Sequence, residues 1–192
     1  MECAVVIPSF TLQGNGLDLR PFDAQDAAEL LSIQRVNREA FAPFMPLRSE
    51  TFFSMEGQQA QIAADQARWE TDLGYAFAVC RQGTIVGRIA LSNVVRGAWL
   101  SATLGYWVDA RAQGQGIATE AVKLAARAAF TKLDLHRLQA AIMPRNAPSL
   151  RVIQKAGFVP EGLAPYYLQI HGVWEDHQIF SLTRELWDDP AQ

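Results

Sequence analysis

The sequence predicts a mixed α/β fold of the α+β kind, with helices flanking one central sheet. Segments with the two-residue alternation of strands and segments with helical spacing follow one another along the 192 residues. Apolar residues make up 49% of the chain, enough for a substantial core. Because no internal repeat, low-complexity tract or linker interrupts the chain, we expect one domain over residues 1–192.

The first third of the chain predicts one strand and two helices. Residues 17–20 alternate between apolar and polar side chains, which is typical of a strand. Asp23 is placed to cap a helix over residues 24–36. Residues 41–46 hold two prolines beside aromatic and methionine side chains and predict an ordered apolar loop. A second helix is expected at residues 56–69.

Three strands are predicted next. The aromatic and apolar residues 75–80 lead into residues 84–93 through the Arg-Gln-Gly turn at 81–83, which predicts a hairpin. Residues 100–108 form the third strand, which ends at Asp109. These strands precede a glycine-rich turn and a long helix over residues 117–132.

The last third predicts a strand, a short helix and a closing hairpin. Residues 136–143 indicate a buried strand. Asn146 is placed to cap a helix that ends near Gly157. Residues 158–170 and 173–183 predict an antiparallel pair.

The glycine-rich turn at residues 111–116 is a candidate phosphate site. Gly114 and Gly116 allow a tight turn and a close approach of the backbone to a ligand. The following helix start offers unpaired N–H groups and a positive dipole end, and Thr119 adds a hydroxyl. No Gly-Lys-Ser/Thr follows and no third glycine completes a dinucleotide fingerprint, so an NTP or NAD site is not indicated. An ordinary glycine turn remains the alternative.

The sequence Arg-Ala-Gln-Gly-Gln-Gly at residues 111–116 resembles the Arg/Gln-x-x-Gly-x-Gly/Ala loop of the GNAT N-acetyltransferase superfamily. Residues 154–162, with Lys-Ala-Gly-Phe and Glu-Gly, resemble a later signature of that family. The Gly-x-Trp-x-Asp-His run at 172–177 is similar to its RimJ/RimL group. Residues 37–48 and 92–97 resemble the RimJ type, the ribosomal-protein-alanine acetyltransferases. The resemblance covers about residues 17–186.

This resemblance implies the GNAT fold, a central mostly antiparallel sheet with a splayed strand pair and flanking helices. It also implies acetyl-CoA as cosubstrate, with the pantetheine arm along the strand before the loop and the pyrophosphate on the loop and the first helical turn. The implied coenzyme-binding residues are Tyr106, Trp107, Val108, Arg111, Gln113, Gly114, Gln115, Gly116, Ile117, Ala118, Thr119 and Asn146.

The resemblance further implies that Ser149 is the donor that stabilises the leaving thiolate; the alternative is a serine that only satisfies N–H groups at its own helix start. The general base stays open, since Leu168 stands where a related branch has glutamate. Glu161, Asp176 and His177 are nearby candidates, and each has an alternative structural role.

The implied reaction is acetyl transfer to a free amine, foremost the N-terminal alanine amine of a ribosomal protein. A small amine, such as an antibiotic or an aminoacyl nucleotide, is an alternative acceptor. A non-catalytic acetyl-CoA-binding ribosome-assembly factor is a third possibility. The net charge of −3 gives no support for direct nucleic-acid binding.

Composition indicates a cytoplasmic protein without a metal site. Cys3 and Cys80 are far apart and have neither metal-ligand nor redox spacing. No apolar run approaches membrane length, and the N-terminal residues lack the basic leader of a signal peptide. The sequence does not indicate an oligomeric state.

Overall fold

A computed structural model describes residues 9–188 of the chain. Its strands are β1 (Leu12–Gly14), β2 (Leu17–Pro21), β3 (Gly74–Arg81), β4 (Thr84–Val95), β5 (Ser101–Val108), β6 (Arg137–Ile142), β7 (Val159–Ile170) and β8 (Val173–Thr183). Its α-helices are α1 (Ala27–Val36), α2 (Arg38–Phe41), α3 (Met55–Glu70), α4 (Ile117–Thr131) and α5 (Ala147–Lys155).

Within the described residues, the strands form one eight-stranded sheet in the order β1-β2-β3-β4-β5-β6-β8-β7. Every neighbouring pair is antiparallel except β5 and β6, which run parallel. Helices pack on both faces, so the predicted mixed α/β fold with a mostly antiparallel sheet is confirmed.

Two apolar cores hold these layers together. The larger lies between the sheet and the pair α4 and α5, where Val122, Ala125 and Ala129 of α4 are fully buried. The smaller lies between the sheet and α1 and α3, and it includes Leu30 and Ile62. Alternate side chains of the central strands serve the two cores, as the two-residue period of a strand requires.

Local chemistry explains why several elements begin and end where they do. Asp23 and Asp26 form a capping box, although the first turn after Asp23 is a 3-10 turn and α1 begins only at Ala27. Gln82 and Gly83 both have positive φ, 51° and 80°, which gives the tight turn between β3 and β4. Asn146 caps α5 by accepting a hydrogen bond from the Ser149 N–H at 3.2 Å.

Three differences from the sequence prediction concern short elements. The three-residue strand β1 was not predicted, because its alternation is too short to stand out before it pairs with β2. Residues 41–46, predicted as a loop, include the end of α2 and the 3-10 turn Ala42–Phe44. Glu50–Phe53 forms another 3-10 turn that the sequence pattern did not indicate.

Cys80 is a free thiol buried in the smaller core, and its burial raises the thiol pKa. Cys3 lies outside the described residues. In residues 9–188, no helix has both the length and the apolar character needed to cross a membrane.

Candidate active site

The strand β5 leaves part of one backbone edge unpaired. Its parallel pairing with β6 covers only Ser101 to Thr103, opposite Arg137 to Gln139. Further along, β5 continues to pair with β4 as far as Val108, whereas β6 pairs with β8. The two strands therefore splay apart, and the β5 edge at residues 104–108 is available to an extended ligand.

The glycine turn between β5 and α4 has the conformation expected of an anion cradle. Gly114 and Gly116 have φ values of 76° and 79°, a region that other residues rarely adopt. A Cβ atom on either glycine would meet no heavy atom within 4 Å. Since Gly116 is the N-cap of α4, no side chain caps the first-turn N–H groups. The turn thus combines open space, free donors and a helix dipole.

A buried hydrogen-bond network fixes the start of this turn. The Asn37 side chain, 1% exposed, accepts a hydrogen bond from the Ala110 N–H at 2.8 Å and donates to Asp109 at 3.3 Å. The buried Asp109 accepts from the backbone N–H of Arg111 at 3.0 Å and pairs with its guanidinium. These contacts, foremost the one with Arg111, hold the pKa of Asp109 below its usual value. We call residues 109–119 the coenzyme loop.

The coenzyme loop makes one further link to the sheet, through Gln115. Its side-chain oxygen accepts a hydrogen bond from Arg81 at the end of β3. Gln113 reaches back to the Val108 carbonyl at 3.4 Å. Arg111 is directed to Asp109, so its side chain has a structural partner besides any ligand role.

The hydroxyl groups of Tyr106 on β5 and Ser149 on α5 lie in contact where β5 and β6 separate. Tyr106 Oη lies 2.7 Å from Ser149 Oγ and 3.3 Å from the Ser149 carbonyl oxygen. Burial raises the pKa of Tyr106 to about 12, although the Ser149 contact opposes that shift. The tyrosine is therefore a neutral hydroxyl at physiological pH. The sequence placed Ser149 and Tyr106 in separate roles, and the structure joins them.

The three candidate bases each engage in local structural contacts. Glu161 pairs with Arg137 and accepts from Ser181 Oγ at 2.7 Å, and both contacts lower its pKa, the Arg137 contact most. Asp176 accepts a hydrogen bond from a backbone N–H in the irregular part of β7 at 2.9 Å. The buried His177 has its Nδ1 3.0 Å from the Glu175 carbonyl oxygen.

A cavity of about 190 Å³ opens beside β5 on the face covered by α1 and α3. Gly105 and Trp107 form its floor, and Met45 and Phe52 lie in its wall. Its polar lining consists of Gln34, Gln58, Gln61, Arg48, Asp65 and Arg88. Because Tyr106 also lines this space, the cavity meets the splayed edge of β5. We call it the acceptor cavity.

Of the two cationic residues of the acceptor cavity, Arg48 ends the segment 37–48 that resembles the RimJ type, whereas Arg88 was not singled out from the sequence. Arg88 is the one charged residue of β4, and its Nη2 lies 2.9 and 2.8 Å from the two carboxylate oxygens of the buried Asp65 on α3. A charge within a run such as Ile-Val-Gly-Arg-Ile-Ala-Leu is a signal that sequence reasoning could have used. Nothing in the sequence around its partner Asp65, 23 positions earlier, indicates a site residue.

In the described range 9–188, no group of three or more His, Cys, Asp or Glu side chains could hold a metal ion. The polar groups described around β5 are backbone donors, hydroxyls, amides, guanidinium groups and the carboxylates of Asp65 and Asp109.

Comparisons with known proteins agree with this geometry. Residues 17–159 match the family model described as an acetyltransferase (GNAT) domain. The probable N-acetyltransferase YjcK of Bacillus subtilis is 40% identical over 173 residues, which cover 89% of this chain and 96% of that protein. The ribosomal protein uS5-alanine N-acetyltransferase of Escherichia coli is 31% identical over 183 residues, 94% of each chain.

A solved structure of Mycobacterium smegmatis RimJ in complex with CoA-disulfide has a TM-score of 0.89 to this chain at 30% identity. The similarity covers 94% of this chain and 89% of the mycobacterial one. The sequence comparison and the structural comparison thus both relate this chain to ribosomal-protein acetyltransferases.

Proposed function

This chain belongs to the GNAT acetyltransferase family and is related to ribosomal-protein acetyltransferases, and on that basis we propose that it acetylates a free N-terminal α-amine, foremost an alanine at the start of a ribosomal protein. The observation that carries the proposal is the junction of the splayed β5 edge, the coenzyme loop and a small cavity at one place. We place the reaction in the cytoplasm.

The coenzyme loop suits the pyrophosphate of acetyl-CoA. The N–H groups of residues 114–119 would bind the phosphates, and the absence of Cβ atoms at Gly114 and Gly116 leaves room for them. The free edge of β5 at Tyr106, Trp107 and Val108 would pair with the amide groups of the pantetheine arm. The bound coenzyme supplies an acetyl thioester, which an amine can attack.

Ser149 would donate a hydrogen bond to the sulfur atom that leaves. When Tyr106 donates its own hydrogen to Ser149 Oγ, the serine hydrogen remains free for the thiolate. The raised pKa of Tyr106 keeps that hydrogen in place at neutral pH. A donor of this kind acts where negative charge develops, and therefore it lowers the energy of the transition state more than that of the bound substrates.

The acceptor would enter from the acceptor cavity. Its volume of about 190 Å³ is below the roughly 300–1,000 Å³ of pockets for drug-sized ligands. A space of that size takes a chain end with a small first residue, whereas the rest of a peptide remains outside. The Gln34 amide of the lining offers a donor and an acceptor to the peptide backbone of such an end, whereas the Gln58 and Gln61 amides already donate to Phe52 and Asp65.

A competition assay tests the proposal. The purified protein and acetyl-CoA are incubated with an alanine-first peptide, the N-terminally blocked form of that peptide containing lysine, and a panel of small amines. We expect the free α-amine to be acetylated first, since its pKa near 8 leaves more of it neutral at pH 7 than a lysine amine with a pKa of about 10.4. Mass spectrometry of the products identifies the modified amine.

Two results would reject the proposal. Preferred acetylation of the blocked lysine peptide would indicate a side-chain acetyltransferase, and preferred acetylation of a small amine would indicate a detoxifying enzyme. Mass spectrometry of ribosomal proteins from cells with and without this protein then identifies the acceptor.

A further inference from the structure

The charges of the acceptor cavity are unequal. Its lining holds two guanidinium groups, Arg48 and Arg88, and one carboxylate, Asp65. That carboxylate is fully engaged by Arg88, by Arg68 at 3.3 Å and by Gln61 at 3.0 Å. One positive charge of the lining is therefore left without a counter-charge.

Arg48 carries that unmatched charge. Among residues 9–188 it has no carboxylate partner, and its guanidinium stacks over the Phe52 ring at 4.8 Å from the centroid. Arg48 is an exposed residue at the mouth of the cavity lining, yet partial desolvation and the neighbouring Arg88 charge lower the pKa of its guanidinium. An anion between the two guanidinium groups would relieve both effects.

Arg88 has unused donor capacity in the same place. Its Nη2 makes both bonds to Asp65, and its Nε is buried without a hydrogen-bond partner among residues 9–188. A buried donor left unpaired destabilises the folded state, so such a group is rare in a folded protein. The orphaned Nε is an observation independent of the charge count.

We propose, building on the proposed function, that the acceptor peptide carries a carboxylate side chain at its second or third residue, which binds at Arg48 and Arg88. Arg88 is the cross-strand partner of Trp107, one strand away from the β5 segment at which the thioester would lie. Adjacent strands are about 4.8 Å apart, and an extended chain advances about 3.3 Å per residue. The carboxylate is therefore expected on the first or second residue after the one that carries the reacting amine.

The test compares peptides that differ at one position. Alanine-first hexapeptides with glutamate, glutamine or lysine at the second or third residue are assayed by release of coenzyme A. For wild-type protein we expect kcat/KM for the better-placed glutamate peptide to exceed that for its glutamine analogue by about tenfold, the scale of a hydrogen bond to a charged group. The lysine analogue should be the poorest of the three.

Arg48 is the residue to change, because Arg88 holds the buried Asp65 in place. Arg48→Gln should bring the glutamate-to-glutamine ratio close to one, and Arg48→Glu should reverse the order in favour of lysine. Arg127→Gln is the matched control, since Arg127 lies on α4 outside the cavity lining and donates to the Gln13 carbonyl. That control should keep the wild-type ratio.

The outcomes separate this inference from the proposed function. Equal kcat/KM for the three peptides, or a glutamate preference that survives Arg48→Gln, overturns the inference while acetylation of the alanine amine still stands. Faster turnover of O-phosphoethanolamine than of every peptide, lost in Arg48→Gln, overturns both and assigns the cationic pair to a small phosphate-bearing amine.

Discussion

The coenzyme loop and the acceptor cavity meet at β5, and they are built in opposite ways. The loop is one continuous stretch whose available polar groups are backbone N–H donors set by two glycines and a helix start. The cavity is lined by residues of α1, α3, β4 and β5 and of the segment that connects α2 to α3. Its ligand groups are side chains that stand far apart in the sequence.

This difference has a chemical reason. Backbone donors can bind a phosphate whatever the neighbouring side chains are, so a loop of this kind tolerates changes in the side chains around it. Side chains that converge from several elements change independently, so they adapt the same scaffold to different acceptors. Asn37 connects the two regions. It directly follows α1, which lines the cavity, and its side chain is hydrogen-bonded to Asp109 and Ala110 at the start of the loop.

The largest expected effect tests the coenzyme loop. Binding at about 100 times Kd adds about 2.7 kcal/mol, which raises Tm by roughly 5–10 °C for a chain of this size. Gly114→Trp or Gly116→Trp should abolish the shift produced by acetyl-CoA, because the indole would fill the space above the loop. Differential scanning fluorimetry with and without acetyl-CoA measures it.

Gly16→Trp is the matched control for that experiment. Gly16 has a similar φ of 74°, and a Cβ atom there would also meet no heavy atom within 4 Å, but it lies in the turn between β1 and β2. The substitution should lower Tm in the absence of acetyl-CoA and keep the ligand-induced shift. If both loop variants kept the full Tm shift produced by acetyl-CoA, the coenzyme would not bind at this loop.

A smaller effect is expected where the two regions join, at Ser149. Ser149→Ala should reduce kcat by about 100-fold, as the loss of one transition-state donor does, with little change in the affinity for acetyl-CoA. Tyr106→Phe should be less than additive with it, since the two hydroxyls act through one contact of 2.7 Å. Steady-state kinetics of both single variants and the double variant measure this coupling. If the Ser149→Ala variant kept the wild-type kcat, Ser149 would have only a structural role at the start of α5.

The smallest expected effect is the pH dependence on the acceptor side. For an α-amine with a pKa near 8, the neutral fraction grows from about 10% at pH 7 to about 90% at pH 9, so kcat/KM should rise about ninefold. Tyr106 should not oppose this rise. Its neutral form is favoured by folding, and that contribution is complete below the unfolded pKa of about 10 and is lost only as pH increases towards about 12.

Initial rates between pH 6.5 and about 9.5, at saturating acetyl-CoA, measure that profile. The Tyr106→Phe variant should show the same rise at a lower rate. A decline of the wild-type rate below pH 9 would mean that a catalytic hydroxyl loses its proton earlier than the burial of Tyr106 allows.

The sequence by itself determined the order of the main elements and the position of the coenzyme loop. Strand alternation, helical spacing and the caps at Asp23 and Asn146 are local properties, and each is explained by hydrogen bonds within a few residues. Gly114 and Gly116 were recognisable because glycine allows a tight turn, which their positive φ values provide, and because the loop resembles a known family. The assignment of ligands to that loop stays a prediction.

Only the tertiary structure decided which side chains share a space. The hydroxyls of Tyr106 and Ser149 meet where β5 and β6 splay, and Arg88 meets Asp65 because α3 packs on β3, the strand beside β4. Each of these contacts joins residues more than 20 positions apart. Their partners are set by the packing of whole layers, which no local pattern of residues encodes, and the charge of the acceptor cavity follows from that packing alone.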